Sequence, residues 1–106
     1  MHVSNSRSEN SSALEDVAII EEILSGNHNS FGILQKKYKR VIATLIRKMV
    51  KDEDDVDDLV QETFIKAYKA IDRYQSCYSF SSWIYRIASN TCIDFLRRKR
   101  LNIISI

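Results

Sequence analysis

Two sets of side chains in this 106-residue sequence have types and spacings that could do chemistry, and both suit binding better than bond making. At about 100° per residue, Asp58, Gln61, Glu62, Ile65 and Lys69 share one side of a helix. Val56, Val60, Ala67, Ile71 and Tyr74 share the other. An isoleucine among acids and amides on an outward face suits docking of a basic protein partner. The same residues also make a plain solvated face, with Asp58 and Glu62 as an i,i+4 acidic pair and Ile65 a stray apolar group.

The second set lies towards the end of the chain. Arg86, Ser89, Asn90, Ile93, Arg97 and Arg100 fall on one side of a helix, opposite Ile84, Ile87, Ala88, Thr91 and Phe95. Arg and Asn bond base edges in pairs, and the run Arg97-Arg98-Lys99-Arg100 could hold phosphates. Basic residues also suit the negative end of a helix dipole with no ligand present. Just before this helix, Tyr74, Tyr78, Phe80 and Trp83 lie within ten residues, the composition of a surface that stacks unpaired bases. Aromatic rings at a helix start are equally good core filler. A third stripe, Lys36, Lys39, Arg40 and Arg47, reads as a solvated face that could extend a phosphate track.

Other chemistries are poorly supplied. Two glycines, Gly26 and Gly32, cannot make a phosphate loop or a dinucleotide fingerprint. The two histidines, His2 and His28, lie far apart, which argues against a zinc site or a catalytic triad. Asp54-Asp55-Val56-Asp57-Asp58 matches an aspartate-rich magnesium pattern, but such sites need a second acidic motif and a large apolar cavity that this length cannot enclose. The expectation is therefore a chain that is not an enzyme and needs no metal or cofactor. Cys77 and Cys92 are expected to be small buried or half-buried thiols in a reducing cytoplasm. No apolar run approaches the length of a membrane span.

The elements that must position these residues are helical, because a chain without proline and with two glycines has few turns to offer a sheet. Residues 1–12 are serine-rich and nearly devoid of apolar groups, so they are expected to be a disordered leader. Ser12 and Glu15 have capping-box spacing, and Val17, Ile20, Ile23 and Leu24 follow on one face before Gly26 stops the first helix. A second begins at Ser30, with Phe31, Leu34, Tyr38, Val41, Ile42, Leu45 and Met49 in one stripe ending near Lys51. The acids from Asp52 to Asp58 sit at the positive end of the third. A loop from Gln75 to Ser82 leads to the fourth, opening near Trp83. The fold expected is all-α, a compact bundle of about four helices over residues 13–102.

Charge is sorted along this frame. Residues 36–51 carry seven cations and no acid, residues 52–62 carry seven acids and no cation, and the net charge of only +2 conceals opposed surfaces. Such sorting points to two different kinds of partner.

The run from Asp55 to Tyr68, DVDDLVQETFIKAY, together with Phe80-Ser81-Ser82-Trp83-Ile84-Tyr85-Arg86-Ile87-Ala88, Asn90, Asp94 and Leu96-Arg97-Arg98, resembles the second conserved region of bacterial RNA polymerase sigma factors. The likeness is to the extracytoplasmic-function group and extends over roughly residues 14–100, since Ser25-Gly26, Phe31, Leu34 and Tyr38 look like the start of that domain. The resemblance implies a transcription initiation factor domain that binds the clamp helices of the largest subunit of core RNA polymerase and recognises and helps melt the promoter minus-ten element. By position it assigns Asp58, Gln61 and Glu62 to the clamp helices, with Ile65 added from the helical wheel. It assigns the loop from Tyr74 to Ser82, hence Tyr78 and Phe80, to an unstacked non-template base. Trp83, Arg86, Asn90, Arg97 and Arg98 would then lie along the DNA.

The resemblance also admits an anti-sigma protein as a further partner, while the cysteine usage and the lack of a long apolar run lead to the expectation of a cytoplasmic location with no insertion into membranes. Members of the group carry a second domain that reads the minus-thirty-five element, which is expected to be missing from this chain. The competing class is a helical protein-interaction module whose acidic third helix meets a basic partner and whose basic tail is merely solvated.

Overall fold

The computed structural model describes residues 3–75 and 77–105, with side chains over 11–75 and 77–102. Four helices carry the fold: α1 (Val3–Leu24), α2 (Phe31–Arg47), α3 (Glu53–Ala70) and α4 (Phe80–Ser105). Short 3-10 turns, His28–Ser30 and Ile71–Arg73, precede α2 and follow α3, and no strand occurs among the described residues.

Local chemistry explains each boundary. Gly26 adopts φ 114°, where a side chain would be strained. Its N–H donates to the Ile23 carbonyl at 3.1 Å, and the Asn27 N–H donates to Glu22 at 3.0 Å, the paired closure of a Schellman motif. At the start of α3, the extended Asp52 caps the helix by accepting from the N–H groups of Asp54 at 2.9 Å and Asp55 at 3.3 Å. Glu53 then pairs with Arg47 at 3.0 Å, tying the end of α2 to the start of α3.

The core is the meeting of these stripes. Leu34, Ile42 and Ile46 of α2, Val56 and Ala67 of α3, and Ile84, Ala88 and Cys92 of α4 are fully buried. The third helix packs against both α2 and α4, and α1 lies against α2 with further contact to α4 and the turn after α3. Thr63 and Thr91 are buried too, each donating its hydroxyl to the carbonyl four residues back at 2.7 Å.

Five expectations are corrected, at the starts of α1 and α4, at Cys77, at Val41 and at the end of α2. The first helix starts at Val3, so Ser12 lies inside it and does not cap it; residues 1–25 hold no glycine or proline to stop the helix earlier. The first two residues of the expected leader, His2 among them, lie outside the described residues. The fourth helix opens at Phe80 and not near Trp83, because the Ser79 hydroxyl accepts from the Ser82 N–H at 3.2 Å and caps it. Cys77 is exposed, while Cys92 is buried as expected. Within the second stripe, Val41 faces solvent and the helix ends at Arg47.

Candidate functional site

The outward face of α3 is built as the helical wheel requires. Asp58, Gln61 and Ile65 are exposed, while Val56, Val60, Phe64 and Ala67 hold the opposite side in the core. Glu62 is half-buried and pairs with Lys66 one turn on at 2.9 Å. Lys66 Nζ also donates to Thr91 Oγ1 at 3.2 Å, so the acidic face is tied to α4 through a residue that helical spacing does not single out. Ile65, 53% exposed, is not an isolated apolar group. It borders an open groove with Phe31, Gln35, Gln61, Phe64, Tyr68 and Lys69, in which the Phe31 ring meets that of Tyr68 edge-on at 5.2 Å.

The cationic stripe of α2 lies beside this face. Lys36, Lys39, Arg40 and Arg47 line a second open groove with Asp57, Val60 and Gln61 of α3. Gln61 is common to both grooves, so the α2 flank of the acidic face runs from an aromatic end to a basic end.

The second candidate surface forms where the loop meets α4. Tyr78, Trp83 and Arg86 come together around a hollow of about 180 Å³, completed by Arg73, Gln75 and Ser82. Tyr78 and Arg86 are exposed and Trp83 is half-buried, which suits a hollow with a ring on its wall and a cation at its rim. Arg73 and Gln75 were not marked by helical spacing, because a 3-10 turn and a loop bring them there. Ser76 lies outside the described residues.

Phe80 is corrected from a surface contact to a support. It is only 2% exposed, and its ring packs on Tyr38 at 5.4 Å, Trp83 at 5.6 Å and Tyr74 at 6.0 Å. The cause is the earlier start of α4, which places Phe80 in the first turn and directs it inward. Tyr74 meets Trp83 edge-on at 5.3 Å and donates its hydroxyl to the Tyr78 carbonyl, so the buried rings hold the loop from below. Burial pushes the Tyr74 phenol above its ordinary range, which keeps that hydroxyl a donor.

Along α4 from the hollow, Arg86, Asn90 and Arg97 share a side and Arg98 is turned away from them by about a quarter to a third of a turn. All four are exposed, and none of the arginines forms an ion pair among the described residues. At about 1.5 Å per residue, Arg86 and Arg97 are roughly 16 Å apart along the helix. The surface is therefore a hollow leading into a cationic track. Such a shape can stack an unpaired base at one end and hold phosphates along the other.

No group of three or more His, Cys, Asp and Glu side chains among the described residues is arranged to hold a metal ion. The aspartate-rich run instead forms the first turn of α3, beside its Asp52 cap. No helix among the described residues is long and apolar enough to cross a membrane.

Known proteins resemble this chain in both sequence and architecture. Residues 34–101 match the family "Sigma-70 region 2". An ECF RNA polymerase sigma-E factor of Salmonella typhimurium is 38% identical over 86 residues, covering 81% of this chain and 44% of that protein. The corresponding factor of Haemophilus influenzae is 37% identical over 83 residues, or 78% of this chain and 43% of its own length. The chain thus spans less than half the length of the curated relatives it matches. Among solved structures, an engineered region 2 of sigmaE in complex with GTAAAA superposes with a TM-score of 0.72 at 38% identity, over 77% of this chain and 85% of that one. CnrH in complex with the cytosolic domain of CnrY superposes with a TM-score of 0.68 at 32% identity, over 83% of this chain and 59% of that one. A family match over residues 34–101, beside a superposition on a solved region 2 at 38% identity, makes this chain a member of the Sigma-70 region 2 family.

Proposed function

We propose that this chain is the region of an extracytoplasmic-function sigma factor that joins core RNA polymerase to the promoter minus-ten element. Asp58, Gln61, Glu62 and Ile65 form the polymerase-binding face, meeting the clamp helices of the largest subunit. Tyr78 and Trp83 receive an unstacked base of the non-template strand, with Arg86 at the rim of the hollow. Asn90, Arg97 and Arg98 follow the strand along α4, and Phe80 acts beneath the hollow. The domain spans residues 13–102 and acts in the cytoplasm without being an enzyme. An anti-sigma protein is a further partner, supported by the similarity to CnrH, which is held by the cytosolic domain of CnrY.

The observation that carries this reading is the meeting of Tyr78, Trp83 and Arg86 around one hollow, at the head of a cationic helix, in a fold shared with a region 2 bound to GTAAAA. No covalent step is required. Capture of single-stranded bases by stacking shifts duplex DNA towards the open form, and each stacked base contributes about 1–3 kcal/mol.

The test is binding of a labelled single strand containing GTAAAA against a scrambled strand of the same composition. The expected result is preference for the first, weakened by salt and lost in Trp83→Ala at unchanged thermal stability. Equal, weak binding of both strands by the folded wild type would overturn the reading in favour of a protein-interaction module.

A further inference from the structure

We propose that Asp16 of α1 and Tyr38 of α2 are positioning residues for strand capture, holding the aromatic floor beneath the hollow formed by Tyr78, Trp83 and Arg86. The inference rests on the reading of that hollow as the strand site.

Asp16 is 3% exposed, an unusual place for a carboxylate, and it is matched there by two donors from α2. Lys37 Nζ donates to one oxygen at 2.7 Å and the Tyr38 hydroxyl donates to the other. Lys37 also donates to the Ser12 carbonyl at 3.2 Å, so a single α2 turn grips α1 at two points. Burial and the Asp16 hydrogen bond both push the Tyr38 phenol well above its ordinary range, so its hydroxyl remains a donor. Apolar residues of similar volume generally fill such a position at no loss of stability. What the polar pair adds is direction, because the hydroxyl fixes how the Tyr38 ring lies.

That ring is the first member of a chain of contacts ending at the hollow. Tyr38 packs on Phe80 at 5.4 Å, and Phe80 supports Trp83 at 5.6 Å and Tyr74 at 6.0 Å. Tyr74 in turn holds the Tyr78 carbonyl. A second route reaches the same point, since Val17, Ile20, Glu21 and Leu24 of α1 line a small hollow with Tyr74. Asp16 itself lines no part of the hollow, yet the ring contacts beneath the hollow start from Tyr38, whose hydroxyl it holds. Neither route includes a residue of the proposed polymerase face.

Trp83, the one tryptophan in the sequence, reports on the floor. In the full chain, Asp16→Asn keeps the shape and Tyr38→Phe keeps the ring while removing its hydroxyl. Four quantities are measured for each: thermal unfolding, acrylamide quenching of Trp83, affinity for the GTAAAA strand, and affinity for core RNA polymerase. The expected result is a cooperative melt, stronger quenching, strand affinity reduced about three- to thirtyfold, and polymerase affinity unchanged. Tyr38→Phe decides the outcome if Asp16→Asn does not fold. Unchanged quenching and strand affinity in a folded variant would overturn the proposal, as would parallel loss of strand and polymerase binding, the mark of a merely structural role. A wild type without strand preference would overturn the strand-site reading itself, and it would be seen before any variant is made.

Discussion

Reversing the charge at Glu62 separates a folding role from a binding role, because the intramolecular cost is small and calculable. Glu62 pairs with Lys66 at 2.9 Å, but the two side chains remain 38% and 41% exposed. A half-solvated i,i+4 pair contributes about 0.3–0.5 kcal/mol, and like charges at the same spacing cost a similar amount. Glu62→Lys should therefore cost no more than about 1 kcal/mol, against a typical domain stability of about 5–15 kcal/mol. Lys66 keeps its alternative acceptor at Thr91, which limits the repulsion further. At the proposed polymerase interface the same reversal would oppose the basic partner that the acidic face selects. We expect a ten- to hundredfold loss of affinity, about 1.4–2.8 kcal/mol. The assay is a titration of labelled chain with core RNA polymerase, run beside a thermal melt. Lys66→Ala is the companion variant, since it breaks the same internal pair but leaves Glu62 in place. Unchanged affinity in a folded Glu62→Lys chain, or an equal loss in Lys66→Ala, would remove Glu62 from the interface.

Other perturbations test separate links. Arg97→Ala should lower the slope of log affinity for the single strand against log salt by about 0.7, the contribution of one phosphate contact, while its melt stays unchanged. Gly26→Ala should destabilise the chain by about 1–2 kcal/mol in urea unfolding, since nothing lies within 4 Å of an added methyl group and the φ of 114° alone opposes it. The raised Tyr38 and Tyr74 phenols set a pH dependence. Both stay protonated in the folded chain past the ordinary value of 10.0, where an unfolded chain already releases its protons. Stability from these groups is fully present below pH 10 and falls as pH rises beyond it, and urea midpoints at pH 8 and 11 should fall less far apart in Tyr38→Phe than in wild type.

What could be read from the sequence was what depends on neighbours along the chain. The outward set Asp58, Gln61 and Ile65 follows from helical spacing alone, and the start of α3 follows from Asp52 and the acids behind it. The stop at Gly26 is equally local. Phe80 was misplaced because serines offer several caps, and the choice of Ser79 moves the helix start by a turn and directs the ring inward. The start of α1 was misplaced for a related reason: serine permits a helix interior as well as a cap. Lys66 on Thr91 and Asp16 on Tyr38 join residues 25 and 22 apart. No periodicity within one element carries such pairings, so the links between faces were not legible even where the faces were.

The packing also decides which of the two cationic stripes suits a nucleic acid. The second helix has more cations than α4 has on the side of Arg86 and Arg97, and by sequence alone it could extend a phosphate track. In the folded chain two of its charges are matched by acids of neighbouring helices, Lys37 by Asp16 and Arg47 by Glu53, and Asp57 lines the same groove as Lys36, Lys39 and Arg40. A phosphate entering that groove would meet a carboxylate as well as the cations. Arg97 and Arg98 on α4 have no such pairs among the described residues. A low net charge therefore coexists with a locally positive helix end, about three turns along α4 from the hollow where Tyr78, Trp83 and Arg86 meet. The proposed stacking hollow and the unpaired cations thus belong to one helix, while two cations of α2, Lys37 and Arg47, tie α2 to α1 and α3.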